Sequence, residues 1–177
     1  MRLLTIMLLC TLSLSFWDCN HDKSEKASGE SATLRHKEIP SGVAGEIIGP
    51  FNRGVALIDQ YKSVEAVAAF EEVVRLAPGW ITGRVNLGIA LLNTEREADY
   101  ARCEKELNWV IEKDPGNPHA HYTLGILFKH LSRFVEAKAR FESVLKFDPE
   151  DADAHYQLGI LIIDDDPLAA RGHLEKT

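Results

Sequence analysis

From residue 50 onward a small pattern recurs four times. A glycine stands in one apolar stretch, Ala-x-x-x-Phe or a variant stands in the next, and a proline closes each of the first three units. Gly54, Gly88, Gly125 and Gly159 lie 34, 37 and 34 residues apart, and Pro78, Pro115 and Pro149 follow at 37 and 34. A period near 34 residues constrains the fold more than any other feature of the chain. Each unit is a helix pair too small to bury its own apolar face, so the units must stack. Such stacks present a surface rather than a catalytic pocket, which points away from an enzyme.

Within the units the helical period is clear. In the first, Gly54, Leu57 and Ile58 share a face, with Pro50 read as a first-turn proline. Ala66, Phe70, Val73 and Val74 then recur at helical spacing from a start near Ser63. Ala77-Pro78-Gly79 stops that helix, with the glycine expected to allow the sharp turn. In the second unit Leu87, Gly88 and Leu91 lead to Cys103, Leu107, Val110 and Ile111. The three extra residues of this unit are expected in the turn at residues 93–97. In the third, Leu124, Gly125 and Phe128 lead to Ala137, Phe141, Val144 and Leu145. The fourth has Leu158, Gly159 and Ile162, then Ala170 and Leu174, one residue short.

A net charge of -7 argues against a nucleic-acid partner, since phosphate binding wants a basic face. Leu3 to Phe16 is almost wholly apolar after Met1-Arg2 and reads as an export signal over residues 1–19. Cleavage after Ser15, lipid attachment at Cys19 with membrane attachment through the N-terminus, and a retained apolar anchor all stay open. The chain is accordingly expected in the periplasm or outside the cell. Residues 20–46 are polar and read as a flexible linker. Cys10, Cys19 and Cys103 fit neither a zinc site nor a disulfide framework, and Cys103 reads as a buried thiol.

These residues resemble the tetratricopeptide repeat. Leu87-Gly88, Leu124-Gly125 and Leu158-Gly159 match its Leu-Gly pair. Ala66/Phe70 and Ala137/Phe141 match its small–aromatic couple, with Cys103/Leu107 a looser version. Pro78, Pro115 and Pro149 match its terminator. The resemblance covers residues 47–177 and implies an all-α, right-handed superhelical solenoid of antiparallel helix pairs. Three repeats are full (47–80, 81–117, 118–151) and one is partial (152–177). Arg53 departs from the Leu of the pair, and Arg84, His121 and His155 stand where the family often has Trp. The fourth unit lacks a capping helix, which suggests a longer protein or self-association through that end.

The resemblance also implies a concave groove. One column is Phe51, Val85, Tyr122 and Tyr156, a second is Val55, Ile89, Ile126 and Ile160, and Asn52, Asn86, Thr123 and Gln157 are expected between them as a polar ladder. Apolar walls with amide and hydroxyl groups suit an extended protein or peptide segment. The alternative is that these apolar residues only pack neighbouring helices. A chaperone-tail clamp does not fit: only Asn86 matches, while Phe51, Val55, His119 and Thr123 hold its other positions. His119, His121 and His155 read as helix-start residues on a solvated face rather than metal ligands. The acids at 148–153 and 164–166 lack a calcium-loop spacing and read as helix starts. No cofactor is expected. The chain reads as an exported interaction scaffold, with a docking arm of a larger protein or enzyme, or a self-associating component, as alternatives.

Overall fold

A glycine at a helix crossing lets two backbones approach only if something large fills the space beside it, and this device recurs in every unit. The computed structural model describes residues 42–177. The apolar segment read as an export signal, Cys19 and nearly all of the expected linker lie outside the described residues. Eight helices are present among the described residues: α1 (Ala44–Asp59), α2 (Ser63–Leu76), α3 (Ile81–Asn93), α4 (Glu97–Lys113), α5 (Pro118–His130), α6 (Phe134–Phe147), α7 (Ala152–Ile162) and α8 (Pro167–Leu174). They pair in order, and each pair packs on the next.

A Cβ placed on Gly54 would come within 2.7 Å of the Phe70 ring, and one on Gly125 within 2.6 Å of the Phe141 ring. The same construction on Gly88 meets Leu107 at 2.6 Å and on Gly159 meets Leu174 at 2.7 Å. The four glycines thus mark four equivalent crossings, each plugged by one side chain of the second helix. Ala66, Cys103, Ala137 and Ala170 supply the small residue one turn earlier, all buried. Cys103 donates its thiol to the Gly88 carbonyl at 3.2 Å, and burial pushes its pKa up to about 12, so it packs as an inert small residue. Arg53 is exposed and pairs with Glu72 at 2.6 Å, so losing the Leu of the pair opens no hole.

Three expectations need correction. The first helix begins at Ala44, so Pro50 lies inside it and the carbonyl of Glu46 loses its usual amide partner. The extra residues of the second unit are not in the turn. α4 has 17 residues where α2 and α6 have 14 each, while the turns at 60–62, 94–96 and 131–133 have equal length. Three residues are nearly one helical turn, so the insertion lengthens α4 with little loss of register. It brings Asp99, which is buried and accepts from the Thr94 hydroxyl and the Arg96 guanidinium, both at 2.8 Å. Burial raises its pKa, but those bonds more than offset this and hold it below the ordinary value. Finally, no described glycine has positive φ; the left-handed residues are Tyr61, Glu95 and Ser132, the centres of the three turns.

Candidate peptide-binding groove

The first helix of each unit, α1, α3, α5 and α7, carries the candidate residues. In the first column Phe51 is half-buried, with its ring 5.8 Å from Phe70 and 5.1 Å from Trp80. Val85 is buried. Tyr122 is half-buried with its ring edge-on to Phe141 at 5.5 Å, and Tyr156 is half-buried. In the second column Val55, Ile89 and Ile126 are half-buried and Ile160 is 42% exposed. Packing therefore absorbs much of the first column, and an apolar strip stays partly open along the second.

The expected polar ladder does not form. Asn52 is exposed, and Asn86 donates to the Thr82 carbonyl of its own helix at 2.9 Å. Thr123 and Gln157 are buried. One residue along a helix turns the side chain by about 100°, so these two need not share the exposure of the columns beside them. Gln157 donates to the Tyr122 hydroxyl of the neighbouring first helix at 3.3 Å. Its other atom accepts from the Lys129 ammonium. Lys129 was missed from the sequence, although it stands three residues after Ile126 and so shares its face.

The histidines are also placed differently. His119 is exposed, but His121 and His155 are buried, against the expectation of a solvated face. His121 Nε2 donates to the Pro115 carbonyl and His155 Nε2 to the Pro149 carbonyl, both at 2.8 Å. Arg84 Nε donates to the Pro78 carbonyl at the same distance. Each donor thus satisfies the terminating proline six residues before it, which Trp in the same slot would do only through its single indole N–H. With Nε2 protonated, His155 Nδ1 accepts from His173 Nδ1 on α8 at 2.7 Å. Among the described residues no group of three or more His, Cys, Asp or Glu is placed to hold a metal ion. The acidic residues open helices: Asp151 accepts from the Ala154 amide at 2.7 Å and Asp166 from the Ala169 amide at 3.0 Å.

Burial pushes the His121 pKa down, and His121 Nδ1 is a buried atom without a hydrogen-bond partner among the described residues. Burial, followed by the His155 ring, lowers His173 likewise. Unfolded histidines take protons near pH 6.5, whereas these do so only at lower pH, so the unfolded state binds more protons in that interval. Stability should therefore fall as pH drops below about 6.5. The thermal midpoint should be lower at mildly acidic than at neutral pH, and His121→Gln should narrow the difference. An equal loss in that variant would remove His121 as its source.

No protein-family model matches the chain, and no curated protein matches it. Solved structures do match. The chain aligns with MamA from Desulfovibrio magneticus RS-1 at a TM-score of 0.64 and 24% identity, over 73% of this chain and 72% of that one. It aligns with YrrB, described as a TPR protein with an unusual peptide-binding site, at 0.60 and 21%, over 77% and 68%. It aligns with the second TPR domain of human RPAP3, solved in complex with an HSP70 peptide, at 0.59 and 23%, over 65% and 93%. The glycine crossings, the proline stops and these likenesses together identify the fold of residues 44–174 as that of the tetratricopeptide repeat.

Proposed function

We propose that the chain is a protein-interaction scaffold that takes an extended peptide along its row of first helices, and, on the strength of the apolar stretch at residues 3–16, an exported one. One observation carries the reading. Val55, Ile89, Ile126 and Ile160 occupy equivalent places on four successive helices, and all four keep part of their surface open. A packing role alone would bury them as it buries Leu87, Leu124 and Leu158 beside them. Two structural neighbours support the reading, since one is described by its peptide-binding site and another was solved with a peptide.

The test is direct. A chain carrying Tyr122→Ala with Tyr156→Ala should bind immobilised nine-residue peptides at least about tenfold more weakly than the parent, because two aromatic anchors are lost. Far-UV circular dichroism should stay unchanged. Peptide binding that survives the double change, with helicity intact, would place the interaction elsewhere.

A further inference from the structure

Lys129 is the one lysine among the described residues that is not exposed. It lies on the groove side of α5 beyond Ile126, and its ammonium is seated on Gln157 Oε1. Gln157 is itself 6% exposed and tied to the Tyr122 hydroxyl, so the seat is fixed rather than mobile. Two other half-buried cations have a carboxylate, while the half-buried Arg140 lies over the Phe128 ring at 5.9 Å. Arg84 meets Glu106, and Arg133 meets Glu104 at 3.0 Å. Lys129 takes part in none of the ion pairs among the described residues. A neutral amide oxygen offsets only part of the cost of taking an ammonium out of water, and burial lowers the Lys129 pKa accordingly. The charge is held in place beside an apolar strip, and among the described residues no carboxylate pairs with it.

We propose that Lys129 receives an acidic side chain, aspartate or glutamate, from within an extended segment of a protein partner. This rests on the groove reading above and names what the groove selects. The strip continues on both sides of Lys129, through Ile89 in one direction and Ile160 in the other, so the ligand passes over the lysine instead of ending on it. A chain-terminal carboxylate would leave one arm of the strip uncovered, and a single ammonium matches one side-chain carboxylate. Packed helices lie about 8–10 Å apart. An extended peptide rises about 3.4 Å per residue. The ligand should therefore carry apolar residues about three positions before and after the acid. The chain's net charge of -7 disfavours acidic ligands at long range, so a preference for acid must come from a local cation.

The probes are amide-capped, fluorescein-labelled nine-residue peptides with Leu at positions two and eight and Glu, Gln or Lys at position five. A further arm carries Gln at position five and a free C-terminal carboxylate. Binding is read by fluorescence polarisation. The Glu peptide should bind about tenfold more tightly than the Gln peptide, as expected for a partly desolvated charge pair. Lys129→Met should erase that ratio while leaving the Gln peptide within about twofold, and Lys129→Arg should retain it. In the unaltered chain the Lys129 ammonium, followed by NMR, should titrate higher with the Glu peptide bound than with the Gln peptide. Equal binding of Glu and Gln peptides, a preference that persists in Lys129→Met, or tightest binding of the free-carboxylate arm would overturn the proposal while leaving the groove standing. If no peptide binds saturably, the groove reading fails and this proposal with it.

Discussion

Phe141→Ala should cost about 3–5 kcal/mol of stability, and Phe141→Leu only roughly 1–2 kcal/mol. Phe141 is fully buried, and its ring occupies the space that a side chain at Gly125 would take. Alanine there leaves a void against a residue that has no side chain to relax into it. The cost is the lost burial together with the unfilled cavity. Leucine is tolerated by design of the repeat, since Leu107 and Leu174 already plug the equivalent crossings at Gly88 and Gly159. The damage should not stay local. α6 packs on both α5 and α7, and Phe141 also supports the Tyr122 ring, so the array loses a shared face and the support of a candidate groove residue together. Urea unfolding followed by circular dichroism measures both variants. An alanine variant within about 1 kcal/mol of the leucine variant would mean that the glycine crossings are not what organises the stack.

The crossings were legible because they depend on residue types that only one arrangement explains. A glycine, a small residue and a large apolar residue at fixed offsets define a contact, and Gly54/Phe70, Gly88/Leu107 and Gly125/Phe141 all make it. The inserted residues of the second unit were misplaced for a different reason. Thr94, Glu95, Arg96 and Glu97 are polar, and polarity suits a turn and the exposed start of a helix equally. Only the left-handed backbone at Glu95, matching Tyr61 and Ser132, shows that the turn keeps its length and the helix takes the insertion.

Of the candidate face, only the exposure of one column was legible. The resemblance places Val55, Ile89, Ile126 and Ile160 on one face, and these stay partly open. It does not say how far one unit rotates against the next, and that rotation decides whether Thr123 and Gln157 stay open or are buried. They are buried. Lys129 escaped notice because charge reads as solvated by default. Its significance lies in its burial and in the neutral partner opposite it, neither of which a single residue letter carries.

Arg84→Met should cost roughly 2–3 kcal/mol, more than a surface arginine, because three contacts converge on one guanidinium. Its Nε donates to the Pro78 carbonyl at 2.8 Å, its terminal nitrogen pairs with Glu106, and its carbon lies 4.1 Å from the centre of the Trp109 ring. The Arg84 and Glu106 side chains are 16% and 18% exposed, so the pair is shielded well enough to matter. Methionine keeps the packing of the stem on Trp109 and removes the charge, leaving Glu106 without its partner. Arg84→His separates the roles. Histidine already serves the Pro115 and Pro149 carbonyls from the same slot, so it should preserve that bond while losing the ion pair and the contact with the Trp109 ring. The expected order of stability is therefore parent, then Arg84→His, then Arg84→Met. Adding Glu106→Gln should recover part of the loss in Arg84→Met, because the stranded charge is gone. Urea unfolding of the four chains decides it. Equal stability of the histidine and methionine variants would mean that the proline carbonyl contributes nothing, and no recovery with Glu106→Gln would mean that the ion pair does not account for the loss.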